Sequence, residues 1–268
     1  MSNRAVWVVA LVLTVASAVW QRRSGPTRPV RGTVDVAGAP VSYRLLRSHG
    51  GDGDQPVRVT AADGSVSGRV VWRRFPTSEA WRELPMARTA DGLEAFLPHQ
   101  PPAGKLEYQV RLRKGETEVA VPARTVVTRF KGHVHATVLV PHVVAMLLSM
   151  LLSAAAGLTA LLGRPTRRLT LVTLAVIAAG GFVLGPIVQK LAFGEYWTGF
   201  PYGHDLTDNK TLLAGVAWGL AALAQLRGRE GRWWVVAAAA VTLAVFAIPH
   251  SLWGSQVDWT ASGAPAPR

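Results

Sequence analysis

Residues 138–162 read VLVPHVVAMLLSMLLSAAAGLTALL, a stretch without a single Asp, Glu, Lys or Arg. A helix needs about 20 consecutive apolar residues to cross the hydrocarbon core of a bilayer. Three more apolar stretches follow, at Leu169–Val188, Leu212–Leu226 and Trp233–Ile248. The sequence therefore predicts a polytopic membrane protein, with a four-helix transmembrane domain over residues 134–256 and a short disordered tail over 257–268.

The charged residues are concentrated before these apolar stretches. Residues 21–135 hold 19 of the 29 Lys and Arg residues and 11 of the 16 Asp and Glu residues. The net charge of +13 and the pI near 11.2 raise the question of nucleic-acid binding. The basic residues form no cluster of five or more and no nucleic-acid-binding motif, so we expect no nucleic-acid partner. Attraction to anionic lipid head groups is a better explanation of the charge.

The chain contains no cysteine. Disulfides, iron–sulfur clusters, covalent haem attachment and thiol redox chemistry are therefore excluded. A domain outside the cytoplasm must then be stabilised by its hydrophobic core, for which about 100 residues suffice.

The connectors between the apolar stretches predict the orientation. Gly163–Arg168 carries three arginines, and Arg227–Arg232 carries three arginines against Glu230, whereas the loop Lys190–Lys210 is mixed in charge. Short loops rich in Lys and Arg face the cytoplasm. We therefore expect a multi-pass protein of the inner (cell) membrane, with residues 30–131 and the C-terminus extracytoplasmic.

The first apolar run, Ala5–Trp20, follows Arg4 and is short for a spanning helix. It resembles the apolar region of a signal peptide, and Ala16-Ser17-Ala18 offers a site of the kind that signal peptidase cleaves. The alternative is an uncleaved signal-anchor helix with a tryptophan at each interface. Residues 1–21 are thus predicted to be a signal peptide or a signal anchor, and both remain open.

Residues 30–131 have the pattern of short strands separated by turns. Val41–Leu46, Val57–Thr60, Val66–Phe75 and Gly92–Leu97 are rich in β-forming residues, and Leu106–Leu112 alternates apolar and polar side chains. A hairpin through Lys114-Gly115-Glu116 leads to Glu118–Val121. Strands at spacings near ten residues, with Gly and Pro turns, predict an antiparallel β-sandwich. The fold class is therefore α+β and multidomain: a sandwich, a transmembrane bundle and an N-terminal helix.

The stretch Pro102–Arg111 reads PAGKLEYQVR. It resembles a late strand of fibronectin type III and immunoglobulin-like modules. In those families a turn leads into a strand whose tyrosine hydroxyl bonds back to the backbone. The resemblance implies that role for Tyr108 and the role of a core aromatic for Trp72. It implies a fold and no particular function.

Two Gly-x-x-x-Gly spacings lie in apolar stretches, at Gly181–Gly185 and Gly215–Gly219. Small residues at this spacing let two helix backbones approach closely. We expect these two helices to touch.

Several polar residues are predicted to converge on the outer leaflet. Ionisable groups at membrane depth are costly, so they indicate a functional site. The candidate ligand or metal cluster comprises His142, His204, Asp205, Asp208, Lys210 and His250. The loop around them is dense in glycines and aromatic residues and could fold back as a lid.

Four interpretations of this cluster are open. His142 and His250 could ligate haem b or a transition metal. His142, Met146 and Met150 share one helix face and could bind copper. The acidic residues, Lys210 and His250 could line a substrate or proton pathway. Finally, these groups could simply bond to one another.

The favoured function is a binding or scaffold protein, or an accessory subunit of a membrane assembly. Its partners would be the lipid bilayer and other membrane or extracytoplasmic proteins. The alternative is a membrane redox protein with haem b or a metal at His142 and His250. No known hydrolase motif is present, so the sequence gives no support to a hydrolase. Whether the chain is an enzyme stays open.

Overall fold

The structure is a computed structural model that describes residues 1–227, 231–249, 254 and 256–259. The chain divides into two compact units. The helical unit takes Met1–Pro26, Val134–Leu191 and Glu195–Ser255. The β unit takes Thr27–His133, Ala192–Gly194 and Gln256–Arg268.

The β unit contains two five-stranded sheets. The first has the strand order β1-β2-β4-β8-β7 and is antiparallel throughout. Its strands are β1 Val30–Val36, β2 Ala39–Leu45, β4 Gln55–Ala61, β7 Ala87–Arg88 and β8 Gly92–Leu97. The second has the order β3-β10-β9-β5-β6, in which only the β3–β10 pair is parallel. Its strands are β3 Ser48–Gly50, β5 Ser67–Arg74, β6 Arg82–Pro85, β9 Lys105–Lys114 and β10 Thr117–Lys131.

The apolar side chains that alternate along β9 form the centre of the β unit's core. Leu106, Tyr108, Val110 and Leu112 are fully buried, and the residues between them are less buried. Successive side chains of a strand point to opposite faces, so this pattern commits one face of β9 to the core. Trp72 on β5 lies beside Tyr108 and is also buried. One hydrophobic cluster takes side chains from both sheets.

The strands predicted from periodicity are present, and the structure adds others. The hairpin through Gly115 forms as predicted, with Thr117 paired to Lys114 and Gly115 at a φ of +58°. Positive φ is readily adopted by glycine. The prediction missed β1, β3, β6, β7 and the second half of β10. In β10, Pro122 and the irregular register between Val121 and Val126 interrupt the alternating pattern.

The helical unit is built from six α-helical segments in its described residues: α1 Asn3–Ser24, α2 Ala136–Leu161, α3 Arg167–Ile177, α4 Gly185–Phe193, α5 Leu206–Leu226 and α6 Arg232–Ala247. A π-helical segment, Ala178–Leu184, joins α3 to α4 into one continuous helix. Within the described chain, three helices are long and apolar enough to cross a membrane: α1, α2 and the composite Arg167–Phe193. The shorter α6 is also apolar. These are the features of a membrane protein.

The N-terminal run is longer than predicted. Helix α1 extends over 22 residues, or about 33 Å at 1.5 Å per residue. The Ser2 hydroxyl accepts a hydrogen bond from the Ala5 amide at its start, and Arg22 and Arg23 lie in the last turn, where cations favour the helix dipole. Val6 and Ala10 pack against Ala155 of α2.

Helix α1 is therefore part of the helical unit rather than a separate segment. Near its end, the Trp20 Nε1 donates to the Ala247 carbonyl at 3.0 Å and the Gln21 Nε2 donates to the Phe246 carbonyl at 2.7 Å. The helices after residue 134 therefore pack with one more helix from the N-terminus.

Small residues set the distances between the helices. A Cβ added to Gly157 would lie 2.5 Å from the Ala239 Cβ, so α2 and α6 meet there. The predicted glycine contact also forms in part: Gly181 faces Thr211, and Gly215 faces the Phe182 ring. Gly219 has open space around it. Only one glycine of the second pair therefore serves the contact between the π-helical segment and α5.

Candidate functional site

The Asp208 carboxylate organises the segment between α4 and α5. Its Oδ2 accepts hydrogen bonds from the Thr198 amide at 2.6 Å, the Gly199 amide at 3.0 Å and the Gln189 Nε2 at 2.9 Å. Gln189 also donates to the Thr198 hydroxyl at 2.8 Å. A buried carboxylate requires partners of this kind, since an unpaired charge away from water is costly. We call Asp208 with Gln189, Thr198 and Gly199 the Asp208 latch.

Two neighbours of Asp208 extend the latch. The Asp205 side chain accepts from the Thr207 amide at 2.8 Å and caps the N-terminus of α5, which begins at Leu206. The Asn209 Oδ1 accepts from the Phe200 amide at 2.7 Å.

Lys210 links α5 to the end of α6. Its Nζ donates to the Ile248 carbonyl at 2.7 Å and lies 3.5 Å from the Pro249 carbonyl. Ile248 is the C-cap residue of α6. The last carbonyls of a helix lack intrahelical partners and carry partial negative charge, so a buried ammonium is stabilised there.

The segment between α4 and α5 that the Asp208 latch holds, the latch loop, carries exposed aromatic side chains. Phe200 is 68% exposed and Tyr202 is 83% exposed, and Tyr196 is also exposed. Trp197 does not share this exposure: it stacks on Phe182 at 6.0 Å between ring centroids, and its Nε1 donates to the Phe200 carbonyl at 3.0 Å. The loop is thus held at its base, while its outermost rings are accessible.

His142 lies on α2 and faces the π-helical segment. Its Nδ1 is 3.0 Å from the Gly180 carbonyl, which also accepts the Gly185 amide. Because a carbonyl can only accept, Nδ1 must carry the proton, and Nε2 of the neutral ring then holds the lone pair. A Cβ added to Gly180 would lie 2.8 Å from the Ala145 Cβ and 3.2 Å from the Met146 Sδ, so the absence of a side chain at this position permits the approach.

The predicted cluster is only partly assembled. Asp205, Asp208 and Lys210 lie within the first turns of α5, and His204 is exposed just before them. The structure shows His142 in a separate contact with Gly180, and His250 lies outside the described residues. Among the side chains that the structure describes, no group of three or more His, Cys, Asp or Glu residues is arranged to hold a metal ion.

Sequence reasoning missed Gln189 and the backbone amides at Thr198 and Gly199. A glutamine near the end of an apolar helix was a sign that it has a buried polar partner, since such groups are hydrogen-bonded. The copper interpretation relied on Met146 and Met150. Met150 is 1% exposed and Met146 lies against Gly180, so both fill space between helices.

The β unit carries paired charges on its surface. Arg73 and Glu107 are 2.9 Å apart across β5 and β9, and Arg69 and Glu118 are 3.0 Å apart. On neighbouring turns, the hydrogen bond from Lys114 lowers the pKa of the Asp63 carboxyl well below its ordinary value. These exposed pairs contribute little to stability but give the second sheet a surface of mixed charge.

The Tyr108 hydroxyl bonds to the backbone, as the resemblance implies. Its hydroxyl donates to the Leu46 carbonyl at 2.7 Å, between β2 and β3, far from Tyr108 in sequence. Burial raises the pKa of this phenol well above its ordinary value. The hydroxyl therefore remains protonated and serves as a structural donor.

No protein-family model matches this sequence, and comparisons with curated proteins and with solved structures find no significant match.

Proposed function

We propose that the chain is a multi-pass membrane protein that acts as a binding or scaffold subunit and presents its β unit outside the cytoplasm. The observation that carries this proposal is the Asp208 latch. Its polar groups hydrogen-bond to one another and hold the loop between α4 and α5, while Phe200 and Tyr202 stay exposed. Aromatic side chains on a pre-ordered frame contribute most to protein recognition, because little conformational entropy is lost on binding.

The proposed partner is another membrane or extracytoplasmic protein. The latch loop would supply apolar anchors, since aromatic residues are enriched at the centre of protein interfaces.

Photocrosslinking in intact membranes tests this function. A photoreactive residue at position 202 should give one reproducible adduct with a protein of defined mass, as should one at position 200. Position 183 is the control, because Val183 is 58% exposed on an apolar helix and is expected to face lipid. Adducts with the same products from all three positions, or with lipid alone, would contradict a specific partner.

For the orientation, we infer that the arginine-bearing connectors are cytoplasmic and that α5 and α6 also cross the membrane. Helix α1 would then be retained as an anchor, since it packs with α2 and donates hydrogen bonds to the end of α6. Contacts of this kind are expected of a permanent helix rather than of a cleaved peptide.

The lack of native cysteines allows a direct test of orientation. A single cysteine at position 202 should react with a membrane-impermeant maleimide in intact cells. One at position 168 should react only after permeabilisation. The intact mass of the purified protein should include residues 1–21. Reversed labelling would overturn the orientation, and a mass without those residues would overturn the retained anchor.

We also propose that the β unit is an immunoglobulin- or fibronectin-like sandwich. Support comes from the shared core of its two sheets, from the buried Trp72 beside Tyr108, and from the bonded Tyr108 hydroxyl.

One observation favours a second candidate, a redox protein with haem b or a transition metal. The bond from His142 Nδ1 to the Gly180 carbonyl leaves Nε2 as the ligating nitrogen, and metal-binding histidines are commonly oriented by such a bond. His250 would be the second ligand. An absorption spectrum and a metal analysis of the purified protein test this candidate. A Soret band lost in both His142→Ala and His250→Ala would establish it, and a colourless, metal-free protein would exclude it.

A further inference from the structure

A cleft of about 610 Å³ lies at the end of the helical unit opposite to the latch. The first turns of α1 and α3 and the last turn of α2 surround it. Its lining includes Asn3, Val6, Trp7, Thr159, Arg164 and Leu169. We call it the arginine cleft.

The arginine cleft has a polar side and an apolar side. Arg164 donates from Nη1 to the Asn3 Oδ1 and from Nη2 to the Met1 carbonyl, both at 2.8 Å. A guanidinium has five N–H donors, so these two bonds position it and leave further donors. Val6, Trp7 and Leu169 supply the apolar wall. A ligand that suits both sides must combine an anion with a hydrocarbon portion.

The surroundings of the cleft are basic. Met1–Arg4 and the connector 163–168 contain Arg4, Arg164, Arg167 and Arg168 and no acidic residue. The helix dipole of α3 adds partial positive charge at its N-terminus. The Thr166 side chain does not cap that end of the helix, because it accepts a hydrogen bond from Gln225 instead. Amides at a helix N-terminus attract anions when the site itself is positively charged.

We propose that the arginine cleft binds the headgroup of an anionic phospholipid from the adjacent membrane leaflet. The phosphate would contact Arg164, and the start of an acyl chain would lie on Trp7 and Leu169. Basic pockets between transmembrane helices on the cytoplasmic side recognise lipids of this class. The inference rests on the proposed membrane placement. A free phosphate would leave the apolar wall unused, so the lipid is the occupant that fits.

Native mass spectrometry of the full-length protein in mild detergent provides the test. Phosphatidylglycerol and phosphatidylcholine with identical acyl chains are titrated separately, and the binding constant of the first lipid is measured. We expect a preference for phosphatidylglycerol. Arg164→Gln should weaken its first binding constant about fivefold, the effect of one basic residue near a membrane surface, and should leave phosphatidylcholine unchanged.

Two further variants separate the cleft from the general positive charge. Arg168→Gln removes the same charge from the same connector outside the lining and should weaken binding less than twofold. Thr159→Phe fills the cleft without changing charge and should weaken the first phosphatidylglycerol as Arg164→Gln does. If Arg164→Gln does not fold, shown by aggregation on size exclusion, Thr159→Phe carries the test.

Several results would overturn the proposal: no preference between the two lipids, equal losses in Arg164→Gln and Arg168→Gln, an unchanged binding constant in Thr159→Phe, or displacement of the lipid by millimolar inorganic phosphate. The labelling experiment at positions 168 and 202 reports separately on membrane placement. A failure of the cleft can therefore be distinguished from a failure of the proposed function.

Discussion

The core of the β unit is filled by Leu, Val, Tyr, Phe and Trp side chains, whereas most buried positions of the helical unit hold Ala, Gly, Ser or Thr. Their surfaces differ in the opposite sense. Among the described residues, the large hydrophobic side chains that the β unit exposes are Trp81 and Phe96. A single helix of the other unit, α2, already exposes seven: Leu139, Val140, Val143, Val144, Leu147, Leu148 and Leu161.

This difference shows that each unit is suited to a different solvent. In water, burial of large apolar side chains drives folding, at roughly 25 cal/mol per Å². In lipid, that driving force between helices is absent, and close packing of small residues replaces it. The contrast is independent of helix length and supports the membrane placement of the helical unit.

The largest expected effect is on the core of the β unit. Leu112 is fully buried, so Leu112→Ala should destabilise the unit by about 2–5 kcal/mol, through the lost burial and the cavity that remains. Phe96 is 51% exposed, so Phe96→Ala should change stability by only about 0.5 kcal/mol. Thermal unfolding of the full-length protein, followed by hydrogen exchange in β9, measures both. Equal losses would break the comparison.

A pair of glycine substitutions examines the packing of the helical unit. Gly157→Ala places a methyl group 2.5 Å from the Ala239 Cβ, which cannot move away independently of its helix. We expect a loss of about 1–3 kcal/mol from this overpacking. Gly219→Ala meets open space and should be neutral, or stabilising by up to about 1 kcal/mol through helix propensity. Melting in detergent, monitored by circular dichroism, should separate the two variants. A stabilised Gly157→Ala would show that α2 and α6 are not in contact there.

Removal of the latch carboxylate should act locally. Asp208→Ala leaves the amides of Thr198 and Gly199 without their acceptor, at a cost of about 1–3 kcal/mol for buried donors. Hydrogen exchange should therefore accelerate in the segment 194–205 while exchange in β9 stays unchanged. Tyr202→Ala is the matched control, because its exposed ring contributes nothing to the latch. Protection of the segment that survives Asp208→Ala would mean that other contacts hold the loop.

The smallest expected effect is that of the Tyr108 hydroxyl. Tyr108→Phe removes one hydrogen bond to the Leu46 carbonyl and should cost about 1 kcal/mol. Tyr202→Phe removes an exposed hydroxyl and should cost nothing measurable. Chemical denaturation of the two variants, compared with the wild-type protein, decides the matter. A neutral Tyr108→Phe would indicate that the bond is not formed in solution.

The sequence predicted periodic elements well and the candidate site only in part. Strand β8 was predicted over its full length, because an apolar stretch follows a clear Asp91-Gly92 turn. The role of α1 was left between two alternatives, since its composition suits both, and its contacts with α2 and α6 could not be read from the sequence. Asp205, Asp208 and Lys210 lie close together at the start of α5. Their partners could not be predicted, because Gln189 and the Ile248 carbonyl come from other helices.

The sequence by itself determined the apolar helices, the alternating strands and the difference between the arginine-rich connectors and the loop of mixed charge. Each of these depends on side-chain periodicity or on local composition, which can be read within a short window. The tertiary structure decided the rest: the bond from His142 to Gly180, the latch around Asp208, and the cleft between α1 and α3. These features join residues that are distant along the chain, and they form because buried polar groups must find partners wherever helix packing brings the backbones together.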